Sequence, residues 1–206
     1  MRKLAVIGTG GINSWTVENL NKLFDLFDKK ELVYVKLFDN DEVEEKNILR
    51  GNQNFLVDDL LQQKAEVLGK RYSFDYENTL ITEENVDNLL VGFDDVIMGV
   101  DNHKTRKLIY EYCLANKIYL LDLRAQGSIM SYVIVDGSKS FEYYVEKYFS
   151  NAEVMERKGS CQLQVDVEND HIENANKIIA HLGVYAIYLK RLRGEKPSTD
   201  EWKFVY

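Results

Sequence analysis

Cysteine is scarce in this sequence, and long apolar runs and early basic runs are missing. The two cysteines, Cys113 and Cys161, lie far apart and form no CxxC pair, so we expect a reduced, cytoplasmic setting and no zinc site. No apolar run reaches the ~18 residues of a membrane helix, and Met1-Arg2-Lys3 shows no signal-peptide pattern. The net charge is -8 without a basic run before the last predicted helix, which argues against a nucleic-acid partner.

What the chain does contain is enough apolar sequence for a sizeable core. Of its 206 residues 45% are hydrophobic, which fits one folded domain. Apolar runs of strand type alternate with segments of helical periodicity, and this order is typical of an α/β fold. Strands are predicted over 4–7, 32–38, 79–81, 95–100, 118–122 and 129–135, helices over 15–24, 58–71, 82–90, 104–116 and 172–193, and a docked tail over the last dozen residues.

A glycine-rich turn follows the first predicted strand. Gly8-Thr9-Gly10-Gly11 lies between that strand and a helical segment. Glycines allow the backbone to approach a phosphate closely, and the start of the following helix offers unpaired N–H groups. Asn13 occupies the place of the third glycine of the dinucleotide fingerprint. A tight turn that serves packing alone is the alternative interpretation.

The second predicted strand ends in two acids that precede a polar segment. Asp39 and Asp41 follow the apolar run 32–38, where an acid can accept hydrogen bonds from ribose hydroxyls. Asn47 and Arg50 then supply an amide and a guanidinium that could hold phosphate oxygens. A strand followed by a solvated acidic turn is the simpler alternative.

Three further residues are candidates for chemistry. Lys64 lies in a predicted amphipathic helix, where a lysine is usually solvated. Asp101 follows a predicted strand and could hold Mg²⁺ together with phosphates, or cap the next helix. Cys161 lies on a predicted glycine-containing loop near Lys158, which would favour its thiolate and make it a nucleophile, although an inert thiol fits at least as well.

In their order and spacing these residues resemble the ThiF/MoeB family, whose adenylating fold is shared with ubiquitin-activating enzymes. The resemblance runs from about Leu4 to Gly194. It implies a Rossmann-like, mostly parallel sheet flanked by helices, with a C-terminal antiparallel extension and a crossover loop. The single ThiF-type domain, 1–206, would comprise a nucleotide-binding core (1–136), a crossover-loop region (137–170), and a C-terminal helix and tail (171–206).

The resemblance also implies a reaction and its site. The protein would use ATP and Mg²⁺ to adenylate the C-terminal carboxylate of a small ubiquitin-like or sulfur-carrier protein, or of a peptide, as a homodimer or heterodimer. Asp39 would hold the ribose, Asp101 would bind Mg²⁺, and Cys161 would match the loop cysteine that accepts the acyl group or sulfur in some members. The residues implied in nucleotide binding are Gly8, Gly10, Gly11, Asp39, Asp41, Asn47, Arg50 and Lys64, of which Asn47, Arg50 and Lys64 would contact the phosphates.

The sequence departs from the family pattern in three ways. Asn13 replaces a glycine, paired CxxC motifs are absent, and the first strand begins at once, without the N-terminal segment whose arginine reaches the partner's nucleotide in relatives. Two other functions therefore stay open. A non-catalytic partner subunit would explain the missing segment, and an NAD-dependent oxidoreductase would explain the glycines and Asp39.

Overall fold

Seven strands form one sheet in the part of the chain that this computed structural model describes, namely residues 1–27, 32–49, 52–150 and 171–205. The strand order is 3-2-1-4-5-6-7. The first five strands are parallel, and the sixth and seventh are antiparallel to their neighbours. The strands are β1 (Arg2–Ile7), β2 (Val33–Phe38), β3 (Asp75–Glu77), β4 (Asp95–Met98), β5 (Tyr119–Gln126), β6 (Ile129–Val135) and β7 (Glu201–Val205).

Helices cover both faces of this sheet. The first face packs against α1, α3 and α7, and the second against α4, α5 and α6. The last helix is continuous, because a π-helical segment, Leu182–Tyr188, joins α7 to α8. The helices are α1 (Gly11–Phe27), α2 (Glu45–Ile48), α3 (Lys64–Tyr72), α4 (Val86–Leu90), α5 (His103–Ala115), α6 (Phe141–Tyr144, continued by the π-helical Val145–Phe149), α7 (His171–His181) and α8 (Leu189–Leu192).

Burial on both faces explains why the central strands are almost continuously apolar. In β1, Leu4 and Val6 pack with the first set of helices, whereas Ala5 and Ile7 pack with the second. Parallel strands covered on both sides need apolar residues at every position, not only at alternate ones. The mostly parallel, Rossmann-like sheet with an antiparallel C-terminal extension is therefore confirmed.

The strand order also places the ligand-binding edge. The chain runs outward from β1 to β2 and β3, and then returns to add β4 on the other side of β1. In open α/β sheets ligands bind at the carboxyl ends of the strands where the order reverses. Gly8, Asp39 and Asp101 follow β1, β2 and β4 in the chain, so these residues meet at that edge.

Several predicted boundaries were wrong. The helix predicted over 58–71 begins only at Lys64, because Leu61 has a φ of 64°, which no helix accommodates. The preceding residues Val57–Asp59 form a separate short 3-10 turn. The strand of this region is β3, which spans Asp75–Glu77 and not the predicted 79–81. The helix predicted over 82–90 is shorter and spans only Val86–Leu90, as α4.

The docked tail contains a strand that the sequence did not reveal. β7 pairs antiparallel with β6 at the edge of the sheet. Its Trp202 ring stacks on Tyr132 of β6 with 6.2 Å between ring centroids, so the tail is held by both backbone pairing and aromatic contact. None of the helices in the described ranges is long and apolar enough to cross a membrane.

Candidate active site

The glycine turn after β1 is tightly constrained. Gly8 has a φ of 76°, and a Cβ there would lie 2.8 Å from Cγ1 of Val100. Its N–H donates to the carbonyl of Phe38 at 2.9 Å, which joins the turn to the end of β2. The turn leads into α1, which begins at Gly11 and has no acidic residue in its first turn. The helix start therefore offers N–H groups and a partial positive charge to an anion.

Asn13 shows how the turn works without a third glycine. Its side chain is fully buried, and Nδ2 donates to the carbonyl of Ile7 at 3.0 Å. The Asn13 side chain has space because Gly99, which follows β4, has no side chain. A Cβ on Gly99 would lie 2.9 Å from Cγ of Asn13. The close approach of helix and sheet thus depends on Gly99, and Asn13 ties α1 to β1.

Asp39 fixes the glycine turn as well as facing the site. One carboxylate oxygen accepts hydrogen bonds from the backbone N–H and, at 3.0 Å, the hydroxyl of Thr9. The other accepts from the N–H of Asp41 at 2.8 Å. Each carboxylate oxygen can accept further bonds, so this geometry is compatible with the predicted contact to ribose, which stays a prediction.

Lys64 is buried, which contradicts the simple expectation of a solvated helix face. Its side chain is 6% exposed and its ammonium lies 3.0 Å from the carboxylate of Asp41, which is itself 61% exposed. The backbone N–H of Lys64 also donates to the carbonyl of Asp41 at 2.9 Å. A buried cation is costly unless it is paired, and here the pair joins the start of α3 to the loop after β2.

Asn47 has a structural role that the sequence did not indicate. The side chain is 2% exposed, and its Oδ1 accepts the N–H of Glu44 at 2.8 Å in a reciprocal cap of α2. The amide nitrogen can still donate, so the predicted phosphate contact stays a prediction. Arg50, Lys158 and Cys161 lie outside the described residues, and their predicted roles stay untested.

Asp101 is not the cap of α5. That role belongs to Asn102, whose side-chain oxygen accepts the N–H groups of Lys104 and Thr105 at 2.8 and 3.1 Å. Asp101 is exposed at the carboxyl end of β4. No group of three or more acidic, His or Cys residues in the described ranges could hold a metal. Mg²⁺ is commonly held by one or two carboxylates and the phosphates of its nucleotide, so Asp101 fits that mode.

Two polar side chains that the sequence did not single out line the glycine turn. Gln53 has a buried Oε1 with no hydrogen-bond partner in the described chain, 4.0 Å from where a Cβ of Gly10 would lie. Asn176 of α7 approaches so closely that a Cβ on Gly11 would lie 2.7 Å from its Nδ2. A buried amide oxygen without a partner favours a ligand that donates. Helical spacing could have pointed to Asn176, because it lies one turn before the fully buried Ile179 and therefore on the same face of α7.

Comparison with known proteins identifies the family. A sequence model of the ThiF family matches residues 2–198. The chain belongs to the ThiF family. The resemblance of the sequence to that family is therefore confirmed.

This ThiF-family chain matches one curated protein over part of its length. It is 28% identical to tRNA threonylcarbamoyladenosine dehydratase from Haemophilus influenzae over 131 residues, which are 60% of this chain and 48% of that protein. The chain thus spans about half the length of that curated relative.

Solved structures show the same fold. A crystal structure of selenomethionine PaaA matches all of this chain and 69% of its own, with a TM-score of 0.71 and 16% identity. The crystal structure of the E. coli tRNA N6-threonylcarbamoyladenosine dehydratase TcdA in complex with ATP matches 72% of this chain and 66% of its own, with a TM-score of 0.56 and 23% identity.

Proposed function

We propose that this ThiF-family protein binds ATP at the carboxyl edge of its sheet and adenylates a carboxylate. The observation that carries the proposal is the buried lysine of the site. The Lys64 side chain is only 6% exposed, and its ammonium lies next to the mostly exposed carboxylate of Asp41. This ion pair lies in the loop after β2, at the carboxyl ends of the parallel strands, and in open α/β sheets that is where nucleotide phosphates bind.

The surrounding residues fit a nucleotide in complementary ways. The first turn of α1 would bind phosphate oxygens through its N–H groups, with Lys64 adding positive charge. Asp39 would accept a ribose hydroxyl, and Asn47 with Arg50 would extend the phosphate contacts. Gln53 would accept a hydrogen bond from the nucleotide, which would satisfy an otherwise orphaned oxygen.

Asp101 would hold the Mg²⁺ that accompanies ATP, since it is exposed at the end of β4 and is not needed as a cap. The ion would offset negative charge on the phosphates. In the reaction, an oxygen of the substrate carboxylate attacks the α-phosphorus, and the bond to the bridging oxygen of the β-phosphate breaks. The products are an acyl adenylate and pyrophosphate.

Two classes of carboxylate substrate have separate support. The C-terminal carboxylate of a small ubiquitin-like or sulfur-carrier protein, or of a peptide, suits a chain of net charge -8, because phosphodiester backbones repel acidic proteins. The relative named as a tRNA threonylcarbamoyladenosine dehydratase favours a second candidate, a tRNA nucleoside whose threonyl group carries the carboxylate. A homodimer or heterodimer, with Cys161 as a later acceptor, belongs to the first candidate.

Nucleotide titration tests the central claim. We expect calorimetry to show Mg²⁺-dependent binding of ATP and weaker binding of NAD. Preference for NAD would instead support an oxidoreductase. ATP binding without ATP–pyrophosphate exchange, when the protein is offered both a library of peptides with free C-termini and total tRNA, would support a non-catalytic partner subunit. Exchange that depends on the peptides or on the tRNA would identify the substrate class.

A further inference from the structure

A second cluster of charged side chains lies at the same sheet edge, on the face covered by α5 and α6. Its centre is Asp122 of β5, which is fully buried. One carboxylate oxygen accepts hydrogen bonds from Nε of Arg124 at 2.6 Å and from the hydroxyl of Tyr110 at 2.8 Å. The other lies 3.3 Å from Nε of Arg106 as an ion pair.

This cluster carries an excess of positive charge. Arg106 and Arg124 are permanently charged, while Asp122 supplies one negative charge. Tyr110 remains neutral, because burial raises the pKa of its hydroxyl well above the usual value. The arginine side chains are only 9% and 20% exposed, so water solvates the surplus charge poorly. Among the described residues Asp122 is the only carboxylate paired with either guanidinium, and a partly buried cation without a full set of counter-charges favours the binding of an anion.

The cluster is connected to the site where the nucleotide would bind. Arg106 donates a hydrogen bond from Nη2 to the carbonyl of Val100, the residue before Asp101. In the sheet register Asp122 lies beside Met98, the last residue of β4. The surplus charge is therefore next to the proposed Mg²⁺ ligand, on the β5 side of the glycine turn.

Arg124 is the member that can reach a ligand. Its guanidinium lies over the ring of Tyr148, 4.7 Å from the centroid, and its hydrogen bonds within the described chain use Nε and Nη2. N–H groups on Nη1 and Nη2 are thus left for a planar, bidentate partner. A carboxylate has the matching geometry.

We propose that Arg124, positioned by Asp122 and supported by Arg106, binds the substrate carboxylate before it attacks ATP, and that this carboxylate ends a peptide. The inference rests on the proposed adenylation. The bound carboxylate is already deprotonated, so one oxygen forms the bond to the α-phosphorus while pyrophosphate leaves with the electron pair of the broken bond. No proton acceptor is needed. The second carboxylate oxygen stays on the guanidinium.

The side-chain Nε–H signal of Arg124 in ¹⁵N NMR spectra tests this directly. The protein, saturated with Mg²⁺ and the α,β-methylene analogue of ATP, is titrated with glycylglycine. We expect the Arg124 signal to shift in a saturable way, and glycylglycinamide, which has no carboxylate, to leave it unchanged. The corresponding signal of Arg191 is the internal control, because Arg191 makes a similar pair with Asp95 at the other edge of the sheet.

Three outcomes would overturn the assignment. The first is a constant Arg124 signal with glycylglycine while ATP-analogue binding is intact. The second is a shift with inorganic phosphate alone, which would make this a nucleotide phosphate site. The third is a shift with N-carbamoylthreonine but not with glycylglycine, which would exclude a peptide as the source. Failure of the analogue to bind would instead count against the proposed function.

A conservative substitution separates binding from support of the fold. Arg124→Lys keeps the charge but loses the planar fork. We expect it to weaken glycylglycine binding by on the order of tenfold, leaving ATP affinity near wild type. Arg191→Lys should change neither. Equal glycylglycine affinity in folded Arg124→Lys and wild type would show that Arg124 serves the fold alone.

Discussion

Asp95 and Asp122 are both fully buried aspartates, and each pairs with two arginines and a tyrosine. They lie at opposite ends of the parallel strands, Asp95 at the amino end and Asp122 at the carboxyl end. Asp95, at the start of β4, contacts Arg2 at 3.2 Å, Arg191 at 3.0 Å and the Tyr188 hydroxyl at 3.3 Å. Asp122, beside the end of β4, contacts Arg106 at 3.3 Å, Arg124 at 2.6 Å and the Tyr110 hydroxyl at 2.8 Å.

The two clusters differ in how their surplus positive charge meets water. The arginines at Asp95 are 33% and 34% exposed, so their charge is solvated while they join β1 to the last helix. Burial still raises the pKa of Asp95, although the two arginines oppose that effect. The arginines at Asp122 are much more buried. The same residue types thus make a structural brace at one edge and a candidate anion site at the other, because solvent exposure differs.

Removing each aspartate should give the largest effect and rank the two clusters. Asp122→Ala leaves two poorly solvated guanidinium groups without a partner, and we expect a loss of about 3–5 kcal/mol in the free energy of unfolding. Asp95→Ala should cost less, about 1–3 kcal/mol, because water can replace the carboxylate. Urea denaturation measures both. A larger loss for Asp95→Ala would contradict the argument from exposure.

Lys64 tests whether nucleotide binding is confined to the carboxyl edge. Lys64→Ala should weaken ATP binding by on the order of tenfold, about 1.4 kcal/mol, through loss of a charge-assisted contact. The fold should persist, because Asp41 is 61% exposed and can be solvated alone.

The matched control is Lys70→Ala on the same helix, since that side chain is 64% exposed and pairs with Glu66 at 2.6 Å. Its ATP affinity should equal that of the wild type. Calorimetry compares the variants, and equal ATP affinity in Lys64→Ala would remove the assignment to phosphate.

Asp101 and Asn102 are adjacent, but substituting them should affect different properties, ATP binding for Asp101 and stability for Asn102. Asp101→Ala should weaken ATP binding far more in the presence of Mg²⁺ than with the metal chelated. Asn102→Ala should lower the free energy of unfolding by about 1 kcal/mol, because it removes the cap of α5. Any change in its ATP affinity should be the same with and without Mg²⁺. Calorimetry with and without Mg²⁺ separates them, and equal losses in Asp101→Ala would argue against a metal ligand.

Removing the hydroxyl of Tyr110 or of Tyr188 should give the smallest changes in stability. Tyr110→Phe removes a buried hydroxyl that donates to Asp122 and accepts from Arg124 at 3.1 Å, so we expect a loss of about 1 kcal/mol. Tyr188→Phe removes a longer bond at 3.3 Å and should cost about 0.5 kcal/mol. Thermal unfolding of both variants measures these losses of stability. A greater loss in Tyr188→Phe than in Tyr110→Phe would contradict the prediction.

The sequence by itself determined the fold class and the order of the site. Alternating apolar and helical segments indicated an α/β fold, and the resemblance to the ThiF/MoeB family implied its mostly parallel sheet. Gly8, Asp39 and Asp101 could be placed at one sheet edge because each follows a strand. These inferences need only local periodicity and topology.

Tertiary structure decided what those residues contact. Lys64 is buried because α3 begins after a left-handed Leu61, and no helical pattern shows that. Asn13 fits because Gly99, just after the end of β4, leaves room for its side chain. The arginines around Asp122 form a candidate anion site and those around Asp95 a brace, because the first pair is much less exposed to solvent than the second. Such effects depend on which surfaces meet water, and that is settled only when the elements pack.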